Sequence, residues 1–217
     1  MIHPIHRCTI LPLLKFFLIK EIKGIENIPK DGKFVVTPNH QSFFDDWVVP
    51  IEIVLNLDKK LHMYVNKNYF KNPLFKWYLN HTGSIPVEVH NIPDKKKINE
   101  KAFQKALQYL QNKEPICIYP EGHRSPDGKL QEAKVGAAHL ALAAKVPILP
   151  IGITGSNEVL PKGKKFPRFK RVIELRIGKP IYLKKYYGKE NNKKVLKEVT
   201  TLVMKEIGKL TNLEYNY

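Results

Sequence analysis

Apolar and polar positions fall along this chain in blocks whose spacing predicts strands and helices in turn. Residues 34–37 are a short apolar run that stops at Pro38-Asn39-His40, as a strand entering a turn does, and residues 46–57 are apolar enough for a buried helix behind that turn. Residues 61–65 predict a second strand. Residues 68–79 are rich in aromatics and interrupted by Pro73, and residues 83–89 read as a sheet edge, because Pro86 lacks the N–H that a central ladder position needs. Ile98, Ala102, Phe103, Ala106, Leu107 and Leu110 follow in steps of 4, 1, 3, 1 and 3, which puts them on one face of a helix. Residues 116–119 form a buried strand ending at Pro120, residues 133–144 an Ala- and Leu-rich helix, 146–151 the strand after it and 172–177 another strand. A closing helix over about 191–209 should bury Val195, Val199, Leu202, Val203 and Ile207. Strands alternating with helices at this spacing predict an α/β fold, a mixed, mostly parallel sheet covered by helices. No repeat or long flexible linker divides the chain, so residues 1–217 are expected to form a single domain.

Residues 10–19 are apolar apart from Lys15 and contain Pro12. Ten residues are too few to cross a bilayer core, which asks for roughly 20 in a helix. With Phe16, Phe17 and Leu18 beside Lys15 and Lys20, residues 1–22 make a candidate membrane-interface helical segment; the plainer reading is a terminal helix packed on its own domain.

Composition narrows the classes. The 217 residues are 43% hydrophobic and 26% charged, which excludes a collagen and most kinds of disorder, and two cysteines, Cys8 and Cys117, can build neither a disulfide framework nor a cysteine metal site. No cleavable signal pattern is present, so the expected environment is reducing. The net charge is +17, and residues 160–189 hold eleven Lys and Arg against the single acid Glu174. Such a region attracts anions: nucleic acid, an anionic membrane surface or a phosphorylated substrate. Signatures of nucleic-acid binding are missing, and a solvated lysine-rich surface is the bland alternative.

Three local groups bear on chemistry. His40 and Asp45 stand five apart across a strand-to-helix turn, a spacing that does not stack along a helix but lets the turn fold the carboxylate back to the ring. A carboxylate on one ring nitrogen fixes the tautomer and leaves the other nitrogen as a base. A structural histidine beside a helix-start aspartate is the plainer reading. Ser42 lies in the same turn without a nucleophile elbow, and Cys117 reads as a buried small hydrophobe, so the base would act on a hydroxyl or water from outside. The second group, Pro120-Glu121-Gly122-His123-Arg124-Ser125, follows a strand, where ligand loops of α/β domains sit. Arg124 offers planar donors for phosphate, Gly122 permits close backbone approach, and Glu121 would orient Arg124 or a substrate hydroxyl. Residues 146–151 (VPILPI) have no acid, base or donor and read as a core strand entering the site region, with apolar contact to a ligand as the functional alternative.

Asn39-His40 with Asp45, Gly83-Ser84-Ile85-Pro86-Val87, Pro120 through Ser125, and Val146 through Pro150 resemble, in order, the four sequence blocks of the glycerophospholipid acyltransferase family, whose best-known members are lysophosphatidic acid acyltransferases. The resemblance implies His40 as catalytic base with Asp45 as its partner, and Glu121, Gly122 and Arg124 around the acceptor phosphate. It implies Gly83, Ile85, Pro86, Val146, Pro147 and Pro150 as acyl or acceptor pocket. The implied reaction moves a fatty acyl chain from acyl-CoA or acyl carrier protein to the hydroxyl of a lysophospholipid, 1-acyl-sn-glycerol 3-phosphate foremost, giving phosphatidic acid. No cofactor or metal is implied, no nucleic acid is expected, and the place of work is an anionic membrane surface on the cytoplasmic face, held peripherally or monotopically. Two positions depart from the family pattern: Val89 where Arg is common, and His123 where Thr is common. Both bear on the acceptor, so glycerol 3-phosphate or another lysolipid stays open. So do a thioesterase using water and a non-enzymatic basic module that binds nucleic acid or membrane.

Overall fold

Among the described residues seven strands share one sheet, and because its central strands carry apolar side chains toward both faces, helices cover both sides. The computed structural model describes residues 11–217 apart from 162, 165 and 169; the expectations for residues 1–10, Cys8, Lys162 and Lys165 fall outside the described residues. The strands are β1 (Ile19–Lys23), β2 (Val35–Pro38), β3 (His62–Asn66), β4 (Ile85–Val87), β5 (Ile116–Cys117), β6 (Ile148–Thr154) and β7 (Ile173–Ile177), in the spatial order β1-β7-β6-β2-β5-β3-β4. Every neighbouring pair is parallel except β6 with β7. The helices are α1 (Leu11–Leu18), α2 (Asp45–Leu57), α3 (Pro73–Thr82), α4 (Lys95–Gln111), α5 (Gly136–Ala144), the single turn α6 (Ser156–Val159) and α7 (Lys193–Thr211).

Alternation along the central strands splits the core in two. Val35, Ile116 and Ile148 point to one face, where Ala102, Ala106 and Leu110 of α4, the alanines and leucines of α5 and the buried side of α7 cover them. Val36, Cys117 and Leu149, their immediate successors, point to the other, against Val48, Val49, Ile51 and Ile53 of α2 and Leu18 of α1. Pro86 lies in β4 at the sheet's margin, where a missing N–H costs no ladder bond.

Two expectations need correction. Residues 19–22, expected to be helical, belong to β1: Ile19 and Ile22 register with Ile173 and Leu175 of β7, so backbone pairing overrides the charged pattern IKEIK. Helix α7 buries Leu196, Val199, Thr200, Val203, Met204 and Ile207, a stripe rotated from the expected one; Leu202 is exposed and Val195 only half-buried. The rotation is possible because Thr200 bonds back to the Leu196 carbonyl and is thereby satisfied inside the core.

Candidate active site

The carboxyl ends of β2 and β5, adjacent parallel strands, deliver the two polar groups to one edge of the sheet, the usual place for ligand contact in such folds. Strand β2 stops at Pro38, and the chain leaves the sheet at Asn39. The Asn39 side chain continues the ladder in the backbone's place: its Nδ2 donates to the Ile153 carbonyl at 2.9 Å and its Oδ1 accepts from the Ile153 N–H at 2.7 Å. With that seat fixed, the next residue is His40.

Helix α2 begins at Asp45, and acids at 45 and 46 suit a helix N-terminus. The intervening turn folds back, so one carboxylate oxygen of Asp45 collects three donors: Nδ1 of the His40 ring at 2.9 Å and the Gln41 and Ser42 backbone N–H groups at 2.7 Å each. With Nδ1 donating to Asp45, Nε2 is the ring's bare nitrogen. Asp45 is fully buried, whereas the His40 side chain keeps 13% exposure, so the ring is reachable from solvent. Tyr119 stacks on the imidazole with centroids 3.9 Å apart and fixes its plane. Ser42 is buried and donates to the Leu160 carbonyl, which leaves it unfit as a nucleophile. Cys117 is buried too, and burial pushes its thiol well above the ordinary range.

Glu121 departs from expectation. It is 1% exposed, and both oxygens accept backbone N–H groups, from His40 and from Gln131, at 2.9 Å each. It therefore clamps the loop after β5 to the turn after β2 rather than facing a substrate; burial raises its carboxyl to about 7. The His40 carbonyl in turn accepts from the Ser125 N–H at 2.7 Å, closing the clamp. Gly122 is exposed at φ +72°, and a Cβ there would come within 3.0 Å of the Lys134 ammonium. Arg124 is half-buried, and His123 is exposed beside it.

Asp46, which sequence reasoning missed, joins these groups. Burial raises it to about 6, against the His40 and Arg124 charges that draw it down, so imidazole, guanidinium and this carboxylate act on one neighbourhood. Asp46 also lines a mostly apolar cavity of about 160 Å³ between α2 and α3, walled by Trp47, Pro50, Val54, Met63, Tyr78 and Leu79, with Lys60, His81, Thr82 and Ser84 as its other polar members. The Trp47 and Tyr78 rings stack at 5.3 Å across it.

None of the six residues expected to form the pocket lines this cavity. Gly83 caps α3 at φ +71°, where a Cβ would stand 2.4 Å from the buried His62 ring, so packing and backbone shape require glycine. Ile85 and Val146 lie in the core with α4 and α5, Pro86 is in the edge strand, the Pro147 carbonyl accepts from Val35, and that of Pro150 accepts from Gly178. Sequence spacing did not reveal this cavity, whose lining comes from residues between 43 and 84; the signal available was the aromatic density of 68–79. Among the described residues no group of three or more His, Cys, Asp or Glu side chains is placed to hold a metal ion.

A sequence model of the family described as Acyltransferase matches residues 20–154. The chain is 28% identical over 167 residues to a chloroplastic 1-acyl-sn-glycerol-3-phosphate acyltransferase of Brassica napus, covering 76% of this chain and 46% of that protein. It is 32% identical over 144 residues to a 1-acyl-sn-glycerol-3-phosphate acyltransferase of Chlamydomonas reinhardtii, covering 66% and 41%. The chain thus spans less than half the length of these curated relatives. The crystal structure of the 1-acyl-sn-glycerophosphate acyltransferase PlsC from Thermotoga maritima superposes with a TM-score of 0.63 at 26% identity, covering 97% of this chain and 83% of that one.

Proposed function

This chain belongs to the acyltransferase family, and on that premise we propose that it moves a fatty acyl chain from a thioester donor, acyl-CoA or acyl carrier protein, to the free hydroxyl of 1-acyl-sn-glycerol 3-phosphate, giving phosphatidic acid. The observation that carries the reading is the His40 ring, held at Nδ1 by a buried carboxylate at 2.9 Å and reachable from solvent on its other side. The acceptor named is the one in the names of the plant and algal relatives.

The bare Nε2 of His40 takes the proton from the acceptor hydroxyl as its oxygen attacks the thioester carbonyl. The new ester C–O bond forms, the C–S bond breaks, and the imidazolium returns the proton to the departing thiolate. Asp45 stabilises the imidazolium between these steps. Arg124 holds the acceptor phosphate, and the loop clamp through Glu121 keeps that guanidinium and the base in register. The acyl chain occupies the apolar cavity between α2 and α3, in whose lining Asp46 is the carboxylate that feels the charge of the base. Anionic phosphate suits Arg124 and the net charge of +17, and the work takes place at a membrane surface. Among the described residues no helix is long and apolar enough to cross a membrane.

A matrix of acyl-CoA and acyl carrier protein donors against lysophosphatidate, glycerol 3-phosphate, lysophosphatidylcholine and water, read by product mass, tests the assignment. The expected product is phosphatidic acid; free fatty acid as the sole product would replace the reading with thioester hydrolysis. His40→Ala should lower kcat by about 10²- to 10⁴-fold with folding intact, and Arg124→Ala should raise KM for the phosphorylated acceptor more than for the donor.

A further inference from the structure

Helix α3 has two apolar stripes, and only one is covered. Phe75, Tyr78, Leu79 and Thr82 turn toward α2 and line the cavity. Leu74 and Trp77, three apart on the other side, are 73% and 64% exposed. A helix apolar on both sides is buried in a core or carries something against its open face. The surroundings say what suits it: from residue 59 to residue 87 there are five lysines, at 59, 60, 67, 71 and 76, and no Asp or Glu. The next acid, Glu88, is already paired with Lys67 at 2.7 Å. Exposed Trp and Leu beside the exposed Lys71 and Lys76 are the composition of a helix lying in the interface of an anionic bilayer. Ten residues make α3 about 15 Å long, so it lies along such a surface and does not cross it. A second copy of the chain fits poorly, because a self-complementary contact would set lysines against lysines.

The open face is continuous with the cavity. Tyr69 and Phe75, 42% and 41% exposed with rings 6.3 Å apart, belong to the surface and to the cavity wall at once. We propose that the surface formed by Leu74, Lys76 and Trp77 of α3 with Lys71 just before the helix docks onto an anionic phospholipid bilayer, setting the cavity mouth at Tyr69 and Phe75 against the lipid so that an acyl chain passes between bilayer and cavity without crossing water. Docking is a binding property in its own right; only the passage of the chain rests on the acyl-transfer reading.

Co-sedimentation of the full chain with phosphatidylcholine vesicles, with and without phosphatidylglycerol, tests the docking. The wild-type chain should prefer anionic vesicles and release with salt, and Leu74→Ser/Trp77→Ser should weaken partitioning by about tenfold or more. Since the two side chains are exposed, unchanged circular dichroism and melting are expected. In a Trp47→Phe background Trp77 is the sole indole, and its emission should shift to the blue on vesicles and be quenched by brominated acyl chains. Equal partitioning of the double variant with an unshifted Trp77, no vesicle binding by wild type, or a dimer in solution that the double variant dissociates would each overturn the proposal. Turnover of water-soluble short-chain substrates separates the two readings. The double variant should match wild type there, while a wild-type chain that docks on vesicles yet turns over neither short nor long substrates would end the acyl-transfer reading and leave the docking standing.

Discussion

Replacing Asp45 by Asn changes one atom and removes one charge, at the point where three donors converge. The oxygen that accepts from the His40 ring, Gln41 and Ser42 must remain an oxygen, so the amide nitrogen has to take the place of Oδ1, which is buried without a hydrogen-bond partner. Hydrogen bonds to a charged acceptor contribute about 1.5–3 kcal/mol each and those to a neutral one about 0.5–1.5, so three weakened bonds cost about 3 kcal/mol together. An unpartnered buried NH₂ adds about 1 kcal/mol or more. Domains of this kind commonly have about 5–15 kcal/mol in hand, so the variant should fold. Its imidazolium, however, loses the adjacent negative charge, and turnover should fall by about 10²- to 10⁴-fold. Urea denaturation gives the first quantity, and continuous detection of released thiol gives the second, over pH 6–9 to expose any shift in the base. A stability loss below about 1 kcal/mol with turnover within about threefold of wild type would refute both the convergence on one oxygen and the role of Asp45 in catalysis.

Other consequences follow from the same geometry. Gly83→Ala should destabilise by about 2 kcal/mol or more in denaturant melts, because its φ of +71° disfavours alanine and the added methyl meets the His62 ring at 2.4 Å. Val54→Phe thrusts extra carbons into the cavity and should shorten the preferred acyl chain by about two to four carbons, read from a donor series of increasing length. Glu121 is held at about 7 against an ordinary value of 4.5. A raised carboxyl favours the folded state when protonated, so its contribution is complete below about pH 4.5 and is lost as pH rises through 7, by on the order of 3 kcal/mol at most. Glu121→Gln should flatten that fall between pH 5 and 8 in urea titrations, though not abolish it, since Asp46 at about 6 acts in the same direction.

Local pattern revealed those parts of the molecule that local physics decides. The stripe from Ile98 to Leu110 needs only a helix with one wet face, and Pro86 at the sheet margin needs only an absent N–H. The turn from His40 to Asp45 was readable for a similar reason, since both groups belong to one short segment. What escaped were features assembled from distant pieces. Strand β1 exists because β7, some 150 residues on, offers a backbone to pair with. The role of Glu121 is set by N–H groups 81 residues before it and 10 after it. The cavity gathers residues of α2, β3 and α3, whereas the proline-rich run 146–151, whose own pattern reads as a core strand and which only the family resemblance made a pocket wall, lies in the core and the ladder.

The Asn39 amide standing in for a peptide has a further consequence. Hydrogen bonding along β6 goes on for a step after the main chain of β2 has left, so the sheet's edge is finished by a side chain and the segment beyond it is released from any duty to the sheet. Phe43, which lines the cavity together with Asp46, can then be exchanged to reshape that cavity without unzipping the strands beneath, whereas Phe44 packs on the core and stays; a library at position 43 is a direct route to altered chain preference.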